Sequence, residues 1–98
     1  MSNQTYLRTR YYIAVFGSRN HASRLFYNLE PKDHYRFKLI PTPCRISAGC
    51  GYSVRFTNLN ELAYLEEKAK EYDTPIKDIY YINNSNNNKT IRKAKASY

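Results

Sequence analysis

Apolar residues in this chain change their spacing along its length, from alternation to every third or fourth position and back. The order is strand, helix, strand, strand, helix, strand. "YYIAVF", Tyr11 to Phe16, is rich in β-branched and aromatic residues and predicts a buried central strand. Ala22, Leu25, Phe26 and Leu29 then fall at i, i+3, i+4 and i+7, one apolar helical face. Ser18 is the expected N-cap, and Pro31, Lys32 and Asp33 end that helix in a turn. "HYRFKLI", His34 to Ile40, alternates, with Tyr35, Phe37 and Leu39 on one face and Arg36 and Lys38 on the other. Pro41 and Pro43 stop the strand, because proline cannot donate to a ladder. "GYSVRF" alternates again, setting Tyr52, Val54 and Phe56 opposite Ser53 and Arg55. Asn58 followed by Glu61 resembles a capping box and opens a helix to about Tyr72. Its inward residues are expected to be Leu62, Leu65, Ala69 and Tyr72, and Asp78 to Ile82 forms the last strand.

That order predicts an α+β fold, a ferredoxin-like β-α-β-β-α-β sandwich with a four-stranded antiparallel sheet and two helices on one face. The right-handed crossover rule makes the first two strands run in the same direction, with the third between them and antiparallel to both. The end of the first strand, the start of the first helix and the hairpin between strands two and three then share one sheet edge. Residues 11–82 are expected to form a single domain, large enough to bury one core. Residues 1–10 read as a flexible basic arm. Residues 83–98, with five Asn among the first six and basic residues after them, read as a disordered tail.

"PTPCRISAGCGYSVRF", Pro41 to Phe56, holds both cysteines and two of the three glycines. Gly49 and Gly51 flank Cys50, so backbone amides can approach its sulfur. Arg45 and Arg55 are near in sequence, and the topology brings Ser18, Arg19 and the start of the first helix to the same edge. A helix end and guanidinium groups favour thiolate over thiol. A cysteine at a glycine-rich turn is equally a small buried hydrophobe, and both readings stand at this level. The Cys44–Cys50 spacing is not that of a redox C-x-x-C motif; Cys44 is a resolving thiol if the loop folds back, and a neutral surface residue otherwise. A metal site would need further ligands, and of the only histidines, His21 and His34, the second belongs at the far end of its strand. No metal or cofactor is expected. Paired carboxylates, a nucleophile elbow and a phosphate loop are absent from the sequence, which leaves hydrolase and kinase chemistry without support.

Sixteen Lys and Arg against eight Asp and Glu set the formal charge at +8, a balance that favours anionic partners. With Arg36, Lys38 and Arg55 expected on the face away from the helices, beside tyrosines, that face could bind nucleic acid. The strands lack the aromatic patterns of RNA-recognition domains, and a solvated or homodimer-forming face is the competing expectation. An acidic protein partner is a further candidate. No apolar run is long enough to span a bilayer, so no membrane is expected. The first dozen residues lack a signal-peptide core, which places the protein in the cytoplasm as an expectation.

"FGSRNHA", "IPTPCRISAGCGYSVRF" and "NELAYLEE" resemble the Se/S carrier-like family, small bacterial domains of unknown function. Its pattern is a strand, a Ser-x-x-x-Ala helix start, and a Pro-x-x-Ile-Ser-x-x-Cys-Gly loop. Here these are Ser18 and Ala22, then Pro43, Ile46, Ser47, Cys50 and Gly51. The chain departs from the family in carrying Cys44 where a charged residue is usual, and His21 where Glu is frequent. The resemblance implies a carrier, not a turnover enzyme, with a persulfide or selenopersulfide on Cys50. Sulfur or selenium donor and acceptor proteins would be its partners. Ser47 and the loop amides would hydrogen-bond the terminal anion, and Arg45 or Arg55 would supply charge.

Overall fold

The computed structural model describes residues 9–18, 20–46, 51–85 and 88–96. Among them are five strands, β1 (Thr9–Phe16), β2 (Lys38–Pro41), β3 (Tyr52–Phe56), β4 (Ile76–Ser85) and β5 (Asn88–Ala96). Two α-helices, α1 (His21–Asn28) and α2 (Leu62–Glu71), separate them, with 3-10 turns at Pro31–Asp33 and Leu59–Glu61. The strands form one sheet in the order β2-β3-β1-β4-β5, with every adjacent pair antiparallel. β3 lies between β1 and β2, as the crossover rule requires.

The expected count of four strands is therefore corrected to five. Within residues 83–98, expected to be a disordered tail, residues 83–85 instead extend β4 and residues 88–96 form β5. An Asn-rich stretch reads as low complexity, yet Asn83 and Asn84 lie in β4 and Asn88 opens β5. Beyond it, Ile91 pairs with Ile82 and packs against the sheet. One apolar residue among cations gives alternation too weak to read.

α1 and α2 cover one face. Ala22 and Leu25 from α1, Leu29 at its C-cap, and Leu62, Leu65 and Ala69 from α2 bury against Ala14, Phe16, Val54, Phe56 and Ile79. Leu62, Leu65 and Ala69 are as the helical period predicts, with Tyr72 partly buried at the helix end. Burial of such side chains stabilises the fold by about 1.5–3 kcal/mol each. Asn58 accepts from the Asn60 amide at 2.9 Å and opens the 3-10 turn that leads into α2.

Several boundaries moved. β1 starts at Thr9, inside the expected basic arm, and β4 starts at Ile76, ahead of the expected Asp78. α1 starts at His21 with no side-chain cap on its N-cap Asn20. Ser18 acts one step earlier: its hydroxyl accepts from the Asn20 amide at 3.4 Å and its carbonyl from the His21 amide at 3.1 Å. β2 begins at Lys38, four residues later than expected, because Asp33 holds the preceding segment in a turn. Its carbonyl accepts from the amides of Arg36 and Phe37. Arg36 is consequently not on the far face. Its guanidinium pairs with Asp33 and Glu61 and lies 5.1 Å from the Phe37 and Tyr64 ring centroids, on the helix side.

Candidate functional site

The far face of the sheet is not a bare basic surface. Ile13, Val15 and Ile82 are buried there, beneath Ile40, Ile46, Tyr11, Tyr80 and Ile91. Ile46 belongs to the cysteine loop, so the described part of that loop, up to Ile46, folds back over the face. Arg45 reaches further, donating to the Lys89 carbonyl of β5 at 3.1 Å. The segment from Thr42 to Ile46 thus straps the sheet from its β2 edge to its β5 edge.

The base of the strap is tightly built. The Thr42 amide donates to the Gly51 carbonyl at 3.0 Å, and the Thr42 and Ser53 hydroxyls lie 2.6 Å apart. The Ile46 amide donates to the Pro43 carbonyl at 2.9 Å, closing a turn around Cys44. Cys44 carries a free, exposed thiol on that turn. Gly51 has φ +155, a conformation that L side chains rarely adopt, although a Cβ there would meet Thr42 Oγ1 only at 3.9 Å. The constraint on Gly51 is backbone conformation, not space.

Sheet register places the remaining elements. Ser53 is opposite Val15 on one side and Ile40 on the other, so the end of β1 that leads to Ser18 lies at the edge where the cysteine hairpin closes. Ser18 and Gly51 are therefore at that edge. Arg45 is not, since its guanidinium goes to β5. Arg55 lies on the far face in mid-sheet, its guanidinium 4.6 Å from the Tyr11 ring centroid and its Nε buried with no hydrogen-bond partner among the described residues. Cys50, Ser47, Gly49 and Arg19 fall outside the described residues. Among the described residues, no three His, Cys, Asp or Glu side chains group as metal ligands, and no helix is long and apolar enough to cross a membrane.

Residues 11–81 match the family described as putative Se/S carrier protein-like. The chain belongs to this family. No curated protein and no solved structure matches it. The Se/S carrier-like span takes in β1 to β4 and the whole cysteine loop, and it ends four residues before the end of β4. β5 lies beyond it.

A second polar cluster was not anticipated. Asp33 is 4% exposed and accepts hydrogen bonds from the Tyr64 hydroxyl and the Arg36 guanidinium, each at 2.5 Å. Those two hydrogen bonds, Tyr64's first, hold the Asp33 carboxyl below the usual carboxylate range. Burial, and then the Asp33 hydrogen bond, push the Tyr64 phenol up to about 12. The cluster ties the segment after α1 to α2 and is structural. Its only sequence signal was a Pro-Lys-Asp turn, which gives no hint of a partner on a distant helix.

Proposed function

We propose that the protein is a sulfur or selenium carrier that uses Cys50 as the persulfide site. The observation that carries this reading is the family match across residues 11–81, within which Cys50 is the cysteine of the Ile-Ser-x-x-Cys-Gly segment. The partners are a donor protein that holds sulfane sulfur or its selenium equivalent, and an acceptor. In the transfer, the Cys50 thiolate attacks the terminal sulfur of a donor persulfide, R–S–SH. A Cys50–S–SH bond forms, the donor S–S bond breaks, the proton stays on the terminal sulfur, and the donor leaves as R–S⁻. Reversal of the same exchange onto an acceptor thiolate unloads the carrier.

Gly49 and Gly51 leave the loop amides free to approach the sulfur, and Ser47 supplies a hydroxyl beside them. Cationic side chains and the start of α1 favour the thiolate. Of these cations, Arg19 is the one assigned to Cys50, while Arg45 anchors the strap and Arg55 lies over Tyr11 in mid-sheet.

Inorganic polysulfide and intact-protein mass spectrometry test the proposal. The unmodified protein and Cys44→Ser should gain the mass of one sulfur atom that a reductant removes, and Cys50→Ser should not. Gain of sulfur on Cys44 alone would overturn it. So would a Cys50 thiol that reacts with iodoacetamide at pH 7 no faster than a simple peptide thiol.

A further inference from the structure

We propose that the outer edge of β5 docks an acidic, extended segment of a partner protein, which joins the sheet as a sixth strand. The inference stands apart from the carrier reading, since the edge can dock a partner whatever Cys50 does.

Among the described residues β5 ends the sheet, so its alternate residues direct their N–H and C=O groups away from β4 with no described strand to receive them. The opposite edge is a poorer template. β2 has four residues and includes Pro41, whereas β5 has nine and no proline. The charge of the edge defines what it accepts. Asn88–Ala96 contains no Asp or Glu, and Lys89, Arg92 and Lys93 are exposed along it. Arg92 stands on the helix side, 5.6 Å from the Tyr81 ring centroid, while Lys93 stands on the far side, 5.9 Å from the Tyr80 centroid. An incoming strand therefore finds a cation on either face, Lys93 also standing 3.8 Å from Asp78 of β4. Beside β5 a cleft lined by Tyr12, Leu59, Tyr81, Arg92, Lys93 and Ala94 offers both apolar and cationic surface to alternate side chains. Leu59, at 48% exposure, is its open wall.

The same observations disfavour two other occupants. A second copy pairing β5 with β5 would oppose cations with cations, which is destabilising across a sheet. A single-stranded nucleic acid needs free ring faces for stacking. Here Tyr12 stacks on Phe56 at 5.5 Å, and Arg92, Lys93 and Arg55 lie over Tyr81, Tyr80 and Tyr11. Arg45 already occupies the Lys89 carbonyl, so the segment runs from Ile91 onward, with its end beside the anchor of the cysteine strap.

The test uses the full chain and a fluorescein-labelled peptide of about eight alternating Glu and Val residues, a typical strand length. A second peptide of the same sequence carries N-methyl groups on alternate backbone amides. Oligouridine RNA is the third probe, and anisotropy is read at low and physiological salt. The Glu/Val peptide should bind more tightly at low salt and shift the NMR amide signals of Ile91 and Lys93. The N-methylated peptide should bind at least about tenfold more weakly. Lys89→Glu combined with Arg92→Glu, checked for native circular dichroism, should weaken the first peptide by a similar factor. Equal binding of the two peptides would reduce the edge to a charge patch and overturn the proposal. Tighter binding of the RNA, absence of peptide binding, or a concentration-dependent dimer that protects the β5 amides would overturn it too. The two-peptide comparison needs no variant, so a misfolded double substitution leaves the proposal open to refutation.

Discussion

Asp33 shows what one residue does in this chain. A buried carboxylate is costly unless its lone pairs are satisfied, and here a guanidinium from the same turn and a phenol from α2 both reach it. Tyr64→Phe removes one donor and should cost about 1–2 kcal/mol in urea unfolding, and Asp33→Asn about 1–3 kcal/mol. The pH dependence follows from the two shifted groups. Asp33 is more acidic folded than its ordinary 3.8, so its contribution is present above that pH and is lost as pH falls through the lowered value. Tyr64 is less acidic folded, at about 12 against 10.0, so its contribution is complete below pH 10.0 and is lost as pH rises toward about 12. Tyr64→Phe should flatten the decline in stability above pH 10.0 relative to the unmodified protein. An equally steep decline in both would assign it to other tyrosines.

At the scale of elements, the strap across the far face is the feature that most alters the picture of the cysteine loop. Ile46 closes an apolar cluster with Ile13, Val15 and Ile82 below it, whereas Arg45 adds one exposed hydrogen bond to β5. Burial should outweigh that contact. Ile46→Ala is expected to cost about 1–3 kcal/mol, and Arg45→Ala no more than about 0.5 kcal/mol, by chemical denaturation. A larger loss for Arg45→Ala would mean that charge, not packing, holds the strap. The elements that were legible in the sequence are those whose partners are implied by period alone. Leu25 and Leu29, or Leu65 and Ala69, declare a buried helical face without reference to what covers it. Gly51 and Ser18 could be assigned to one edge because β-strand order follows from few rules. The strap could not be read, since Ile46 and Arg45 find their partners on strands far along the chain, one of which was hidden by its own composition. Nor could the late start of β2, because His34 to Phe37 alternate well enough for a strand and only the ties to Asp33 hold them in a turn.

For the whole molecule, charge and shape act against each other. A formal charge of +8 on one small domain is self-repulsive, and β5 adds cations to a sheet edge that has no acidic residue of its own. Four ion pairs connect described residues, Arg36 with Asp33 and with Glu61, Lys68 with Glu71, and Lys93 with Asp78. The Lys68–Glu71 pair is exposed and the Lys93–Asp78 pair long at 3.8 Å, so salt weakens little that matters when it screens them. The Asp33 pairing is buried and hydrogen-bonded, and screening reaches it least. Salt therefore relieves more repulsion than it removes attraction. Raising NaCl from about 20 mM to about 300 mM, which shortens the screening length several-fold, should raise the melting temperature at pH 7 by a few degrees. Lys89→Glu with Arg92→Glu lowers the positive charge where it is densest, and should raise the low-salt melting temperature and shrink the salt effect together. A melting temperature that falls with salt in the unmodified protein would show that the ion pairs, not the net charge, dominate its electrostatics. In that case the cations of β5 would have to be held by attraction within the fold, and would be less free to meet an acidic partner.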